Sequence, residues 1–393
     1  MAEPRRRDKL RVLVISHPCV APAYRRKFDL IAESGEVELR LIVPEAWPEE
    51  STLVRFDAAS APEWMRSLPA AWEGYYTRYY YKRGLGAEMR SFAPDIVHIE
   101  EEPYSLCAGQ AVRTMNRHAP TAKFIFRTSV SRDIRLMPLA RPLLRYVERA
   151  VFRRTDHAFV LSAHAKEWLA TRGYTGPTTT FPNGIDTRVY RDHGPEAGAQ
   201  QREAVGIPSS SFVAGYVGRL IPEKGIETLF EAVAAIPDAA ALIVGAGPHR
   251  AALDAHVARL GISDRVWFTG SRPPIEVAKL MHAMDAFVLP SLTTPHWVEY
   301  FGRVLAEGMA CGVPVIGANS GEIAGTIADA GLVFPEGDAA ALGGCLTRLR
   351  ADDAFRDNLI ATGRARAESE FTWEVIAART IKAYHVTTGA DQI

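Results

Sequence analysis

Four side chains stand out by type and place: Arg219, Lys224, Glu299 and Glu307. Arg219 and Lys224 lie in YVGRLIPEKG, residues 216–225, where an apolar run turns at Gly218 and a helical pattern starts near Gly225. Two cations at the carboxyl end of a strand, beside a helix N-terminus whose amides lack partners, form an anion site. Such a site could hold a diphosphate and stabilise the charge that builds on it as a bond breaks. Glu299 and Glu307 lie in EYFGRVLAEGMACGVPVIG, residues 299–317. The spacing predicts a short helix from Gly302 to the Gly312–Pro314 punctuation, with unpaired amides near Gly302 and Arg303 aimed at an anion. Glu307, on that helix, could accept hydrogen bonds from a diol such as ribose. Glu299, on the preceding loop, could reach a second polyol. Taken singly, each segment has a plain competitor: a solvated loop, or two surface carboxylates on an amphipathic helix.

A second cluster follows the apolar run DIVHI: His98, then Glu100, Glu101 and Glu102. Adjacent carboxylates repel one another. One of the three is therefore expected to have a raised pKa or a hydroxyl partner, and Glu101 is expected to point to solvent. His98, ending an apolar strand, reads equally as a packed structural histidine. Gly245-Ala-Gly247-Pro-His-Arg250 has Arg where a dinucleotide fingerprint needs its third Gly, so it reads as a tight strand-to-helix turn. Arg141, Arg145, Arg149 and Arg153 recur every four residues. That stripe is either a solvated face or a helix that could lie on anionic lipid. Tyr75 to Tyr81, with Trp64 and Trp72, could stack on sugars or simply pack.

The elements that must position these groups are legible as short apolar runs alternating with helical patterns. Strands are expected at 10–16, 37–43, 95–99, 123–127 and 157–161, with helices at 25–33, 104–118 and 142–154. The pattern restarts with strands at 211–217, 240–244, 266–269, 286–289 and 313–316, and helices at 226–236 and 249–260. Alternation of this kind gives parallel, doubly wound sheets. The fold class is thus α/β: two facing Rossmann-like units with a cleft between them, and sites at the carboxyl ends of strands. Turn signals place the join in 182–210. The domains are expected at 1–190 and 191–370, with a C-terminal helix in 371–393 that could pack back on the first.

Composition narrows the function. The chain has 393 residues, enough for two large domains. Lys+Arg and Asp+Glu are both 46, which argues against a nucleic-acid partner. Only 8 of the 46 basic residues are Lys, so Lys224 is more informative than any one Arg. The four Cys have neither CxxC nor zinc-type spacing, which fits a reduced compartment. The apolar run near the N-terminus is too short for a signal-peptide core, and no run could cross a membrane. The expectation is a cytoplasmic protein, with the basic helix as a candidate contact at the inner face of the membrane.

Taken together, YVGRLIPEKGIETLFEAV, LIVGAGPHRAALDA, VWFTG, DAFVLPS and EYFGRVLAEGMACGVPVIG resemble family 4 of the nucleotide-sugar glycosyltransferases, which have the GT-B architecture. Pro182-Asn183-Gly184-Ile185-Asp186 resembles that family's linker. The match is strong over 180–340 and weaker over 1–180. The resemblance implies that Gly218 shapes the loop on which Arg219 and Lys224 bind the donor diphosphate. It implies that Glu307 holds the ribose, that Glu299 contacts the donor sugar, and that amides at Phe301, Gly302 and Arg303 complete the cradle. It implies a retaining hexosyl transfer from a UDP- or GDP-sugar to a hydroxyl acceptor, a lipid-linked glycan among the candidates. No metal and no cofactor are implied. His98, Glu100 and Glu102 become candidates for the acceptor side. Three departures stand out, one of them Ser320-Gly321-Glu322-Ile323 after Asn319, which stands where the family usually has Gly-Gly-x-Pro-Glu. The first loop, SHPCVAPAYRRK, lacks the glycines of many relatives, and Glu100 replaces the second His of a His-x-His pair. The competing readings are a non-catalytic nucleotide- or sugar-binding protein, and a phosphorylase or epimerase of the same architecture.

Overall fold

The computed structural model describes residues 9–49, 52–130 and 140–389. It divides into two compact units, Met1–Pro182 with Trp373–Ile393, and Asn183–Thr372.

In the first unit the strands are β1 (Leu10–Ile15), β2 (Val37–Pro44), β3 (Ala46–Glu49), β4 (Thr52–Arg55), β5 (Met65–Leu68), β6 (Ala70–Ala71), β7 (Tyr80–Tyr81), β8 (Ile96–Ile99), β9 (Lys123–Thr128), β10 (His157–Val160) and β11 (Thr178–Thr180). Seven of them form a parallel sheet in the order β11-β10-β9-β8-β1-β2-β5. The helices α1 (Arg26–Glu33), α2 (Leu85–Phe92), α3 (Leu106–His118), α4 (Arg141–Arg154) and α5 (Ala163–Thr171) connect them. Central strands such as β1 and β8 are apolar on both faces because helices cover both.

The second unit holds β12 (Phe212–Val217), β13 (Ala239–Val244), β14 (Val266–Gly270), β15 (Ala286–Leu289), β16 (Val315–Ala318) and β17 (Gly331–Phe334). They make one parallel sheet in the order β14-β13-β12-β15-β16-β17. Its helices are α6 (Pro195–Val205), α7 (Ile226–Ala234), α8 (Arg250–Leu260), α9 (Pro274–Met281), α10 (Arg303–Ala310), α11 (Ile323–Ile327), α12 (Ala339–Ala351) and α13 (Asp353–Arg366). The chain then returns to the first unit in α14 (Trp373–Thr388). Ala377, Ile381 and Tyr384 of α14 share a core with Val12, Val14, Phe28 and Ile31.

The division falls at Pro182, eight residues before the expected 190. Residues 183–190 side with the second unit because Ile185 bridges Thr372 and Tyr190 is buried beside Glu307 and Cys311. The strand expected at 313–316 is displaced to Val315–Ala318. Pro314 has no amide to give a ladder, and only its carbonyl joins in, accepting from Phe287 at 2.8 Å. No described helix is long and apolar enough to cross a membrane.

Candidate functional site

In the second unit the strand order reverses at β12: β13 lies on one side, and the chain crosses to the other at β15. The loops that leave β12 and β15 at their carboxyl ends diverge there, which is where open α/β sheets bind ligands. Gly225, at φ +60°, lets the two loops touch, since a Cβ there would stand 2.3 Å from the Pro290 carbonyl oxygen. The Leu292 amide donates to the Glu223 carbonyl at 2.8 Å. This approach delivers Lys224 to Glu299, with Nζ 2.5 Å from Oε2. Ser291 Oγ donates to the same carboxylate oxygen at 3.2 Å, and the Lys224 ammonium stands 4.9 Å from the centre of the Trp297 ring. Both partners are largely buried, so the pair is fixed in place and little screened.

Arg219 is exposed on the same loop as Lys224, and its charge, like that of Glu299, acts on the Tyr216 phenol. Its carbonyl accepts from Tyr216 Oη at 2.9 Å, which pins the turn made by Gly218. Burial pushes the Tyr216 phenol up, with the charge of Glu299 adding to it, so it stays a donor. The Gly245–Gly247 turn braces the loop from beneath. A Cβ on Gly245 would meet the Gly218 carbonyl oxygen at 1.9 Å, and one on Gly247 would meet the Leu220 carbonyl oxygen at 2.2 Å. The amides of Leu220 and His249 close the brace on Ala246 O at 2.9 Å and Leu220 O at 3.0 Å. The reading of these glycines as a tight turn thus gains its physical reason.

Gly302 adopts φ +73° and α10 begins at Arg303, so its first amides are unpaired at the carboxyl end of the sheet. The preceding residue is anchored twice. Phe301 is buried against Phe371, with ring centres 5.5 Å apart, and its carbonyl accepts from Thr326 Oγ1 at 2.6 Å. Glu307 is buried one turn on, its carboxylate 3.1 Å from Arg303 Nε. Burial raises its pKa, and the Arg303 guanidinium opposes that rise. A buried carboxylate with one cation on it retains capacity to accept from a diol. The Ser320-Gly321-Glu322 turn supports Glu299 from behind. The Glu322 amide donates to the Glu299 carbonyl at 3.0 Å, and Gly321, at φ +54°, leaves no room for a Cβ, which would stand 2.1 Å away. Gly218, Arg219, Lys224 and Glu299 thus gather at one point of the second sheet, and Phe301, Gly302, Arg303 and Glu307 line up along α10 of the same unit. Sequence reasoning missed Ser291, Trp297, Thr326 and Tyr216. Trp297 and Thr326 are recognisable only from contacts remote in sequence, with Lys224 and the Phe301 carbonyl, whereas Ser291 and Tyr216 act on nearby residues whose geometry only the folded loops reveal.

The acidic run of the first unit behaves differently from the expectation. Glu101 does not point to solvent. It is 2% exposed and accepts from the His17 amide at 2.8 Å, His17 Nδ1 at 2.7 Å and Tyr79 Oη at 2.5 Å. A carboxylate supplied with three donors is held inside despite its neighbours. Glu100 is paired with the buried Lys27, and Arg127 Nη1 lies at 3.5 Å. Burial alone would raise Glu100, but Lys27 and Arg127 outweigh it and hold its pKa at about 2. Glu102 accepts from Thr128 Oγ1 and from the Ser129 amide at 3.1 Å. Its pKa is raised by burial against those bonds, so it is the run's member with both a hydroxyl partner and a raised pKa. His98 is fully buried, with Nδ1 2.7 Å from Tyr384 Oη, and burial drives its pKa to about 3. It is packing, which corrects its assignment as an acceptor-side group.

The tyrosine-rich stretch is split. Tyr79 and Tyr81 are core residues, whereas Trp72, Tyr75, Tyr76 and Tyr80 are exposed. On α4, Leu144, Glu148 and Val151 are buried, and Arg141, Arg145, Arg149 and Arg153 are exposed together with Leu143 and Tyr146.

Two family models match the chain: Glycosyltransferase Family 4 over residues 36–189, and Glycosyl transferases group 1 over residues 199–366. A GDP-mannose-dependent monoacylated alpha-(1-6)-phosphatidylinositol monomannoside mannosyltransferase of Corynebacterium glutamicum is 32% identical over 60% of this chain, a stretch that spans 60% of that relative's length. The lipopolysaccharide core biosynthesis mannosyltransferase LpsB of Rhizobium meliloti is 30% identical over 65% of this chain and 77% of its own. Among solved structures, Anabaena Alr3699/HepE in complex with UDP superimposes with a TM-score of 0.71, covering 96% of this chain and 100% of that one at 19% identity. That likeness is one of fold. With its two Rossmann-like parallel-sheet units of the GT-B architecture, the chain belongs to the group 1 glycosyl transferases.

Proposed function

We propose that the chain transfers a hexose from a nucleoside-diphosphate sugar to a hydroxyl acceptor with retention of configuration, and that GDP-mannose is its donor. The observation that carries this reading is the pairing of Lys224 with Glu299 at the strand-order reversal of the second unit, with Arg219 exposed on the same loop. Lys224 and Arg219 would neutralise the diphosphate, the α10 amides would add donors to it, and Glu307 would accept from the ribose diol. Glu299, once Lys224 turns to phosphate, would accept from donor-sugar hydroxyls. In the reaction the anomeric carbon–phosphate oxygen bond breaks and a bond to the acceptor oxygen forms on the same face. The acceptor's proton passes to the departing phosphate oxygen. Two cations on the phosphate supply the charge stabilisation this step needs, so no metal enters the proposal. The donor assignment draws on the GDP-mannose-dependent relative.

The acceptor is proposed to be lipid-linked, met at an anionic membrane surface. The exposed face of α4 supports this, because Leu143 and Tyr146 stand among four arginines. A face of that composition suits the boundary between headgroups and acyl chains. A thermal-shift panel of UDP, GDP and ADP with their sugar derivatives tests the donor. A ligand of the folded state raises the melting temperature by mass action. GDP and GDP-mannose giving the largest shifts is the expected result, and no shift with any nucleotide would remove the donor reading.

A further inference from the structure

The first sheet has its own reversal of strand order, between β1 and β8. Ligands of open α/β sheets bind outside the carboxyl ends of strands at such a reversal. His17, just past β1, and Glu101, just past β8, meet there. The two carboxylate oxygens of Glu101 lie 2.8 and 2.7 Å from His17 Nδ1. The same carboxylate accepts from the His17 backbone amide at 2.8 Å and from Tyr79 Oη at 2.5 Å. The Trp47 ring lies against the imidazole, with centres 4.2 Å apart and planes at 37°.

These contacts fix more than a position. Burial pushes the Tyr79 phenol well up, so it stays protonated and can only donate to Glu101. The carboxylate, with its side chain 1% exposed, is acceptor to three donors. A ring nitrogen facing a carboxylate carries its hydrogen, so Nδ1 donates, and in the neutral ring the lone pair is then on Nε2. Nε2 has no partner among the described residues, yet it is not among the atoms sealed from solvent. His98 supplies the contrast on the same sheet: it is wholly buried, tied to Tyr384 and flanked by Phe28 and Phe159. A histidine that only packs looks like His98. His17 is instead a ring clamped on one side, with one accessible basic nitrogen. Its loop, SHPCVAPAYRRK, has no glycine to bring backbone amides close to a ligand, so a side chain is what it can offer.

We propose that His17 binds a hydroxyl of a sugar or cyclitol, Nε2 accepting the hydrogen bond, and that Glu101 is the positioning residue that fixes the ring and its tautomer. The inference rests on reading the chain as a glycosyltransferase. The acceptor is the favoured source of the hydroxyl, because the donor's diphosphate, ribose and sugar already have assigned partners in the second unit.

The test follows the imidazole nitrogens of the full chain, labelled with 15N-histidine, by two-bond proton–nitrogen correlation at neutral pH. Without ligand, His17 shows a protonated Nδ1 and a bare Nε2, and Glu101→Gln abolishes that preference while leaving the affinity for GDP and UDP unchanged. With the protein held in saturating GDP, methyl α-D-mannopyranoside or myo-inositol shifts His17 Nε2 saturably, and His17→Gln weakens that polyol binding at least tenfold. A shift caused by GDP-mannose or UDP-glucose without any polyol also supports the hydroxyl site and assigns it to the donor sugar. A hydrogen on Nε2, or no response of His17 to any of the four sugar probes, overturns the proposal. GDP binding in the same samples reports separately on the donor reading, so the two can fail independently. The tautomer is read in the unsubstituted chain, so the test survives a variant that does not fold.

Discussion

Replacing His98 with Asn should make the protein less stable at neutral pH and yet less sensitive to acid. His98 is fully buried, and its pKa falls from 6.5 in the unfolded chain to about 3 in the fold. The folded state therefore stays unprotonated while the unfolded state takes up a proton, and stability is lost as pH falls from 6.5 toward 3. At about 1.4 kcal/mol per unit, this one residue costs about 3 kcal/mol between pH 7.5 and pH 4. Asn places an acceptor near the Nδ1 position, so the bond from Tyr384 is kept while the titration is removed. Loss of ring contacts with Phe159 and Tyr384 should cost about 1–3 kcal/mol at pH 7.5. Glu100 does not confuse the comparison, because Lys27 and Arg127 keep it ionised in the fold down to about pH 2 in either protein. Urea unfolding at pH 7.5 and pH 4, followed by tryptophan fluorescence, reads the difference. The stability difference between wild type and His98→Asn should shift by about 3 kcal/mol in favour of the variant on acidification, closing the gap or reversing its sign. A gap that is the same at both pH values would refute the account of His98 as a buried, neutral residue.

Further expectations concern the loops and the surface. Gly247→Ala would force a Cβ to within 2.2 Å of the Leu220 carbonyl oxygen, so it should lower stability by several kcal/mol in urea unfolding and weaken nucleotide binding by disturbing the Arg219 loop. Glu307 has a raised pKa and is proposed to accept from ribose as a carboxylate, so nucleotide affinity should fall as acid protonates it, at a pH above the usual carboxylate range. Glu307→Gln, titrated calorimetrically with the same nucleotide, should bind more weakly at neutral pH and lose that acid-dependent component. Arg145→Glu combined with Arg149→Glu should abolish salt-sensitive sedimentation with anionic phosphatidylglycerol vesicles. Unchanged vesicle binding would dispose of the α4 membrane contact.

Much of this architecture is written in the local sequence. The short apolar runs at β1, β8, β12 and β15 announce buried parallel strands, and glycines at 218, 225, 302 and 312 announce the turns that end or start elements. Arg219, Lys224, Glu299 and Glu307 were legible because their positions at strand ends and a helix start are set by that local pattern. The rest depended on partners remote in sequence. Edge strands such as β11, with only Thr178–Thr180, and β5, Met65–Leu68, carry too little apolar signal to be read. Three consecutive glutamates cannot be sorted from their own neighbourhood. Glu101 is buried because His17 and Tyr79 reach it from other segments, Glu100 because Lys27 does, and Glu102 because Thr128 and Ser129 do. His98 and Tyr384 are 286 residues apart, so the role of His98 was fixed only when α14 packed on the first sheet.

The most direct test of the central claim is a calorimetric titration of GDP into wild type, Lys224→Ala and Glu307→Ala. Loss of a charge-assisted bond costs about 1.5–3 kcal/mol, or roughly 10- to 100-fold in affinity. Each variant should show a loss of that order while still unfolding cooperatively in urea, Lys224→Ala at a lower midpoint because Glu299 loses its buried partner. GDP binding of undiminished affinity in both folded variants would contradict the placement of the donor on the Lys224 loop and α10.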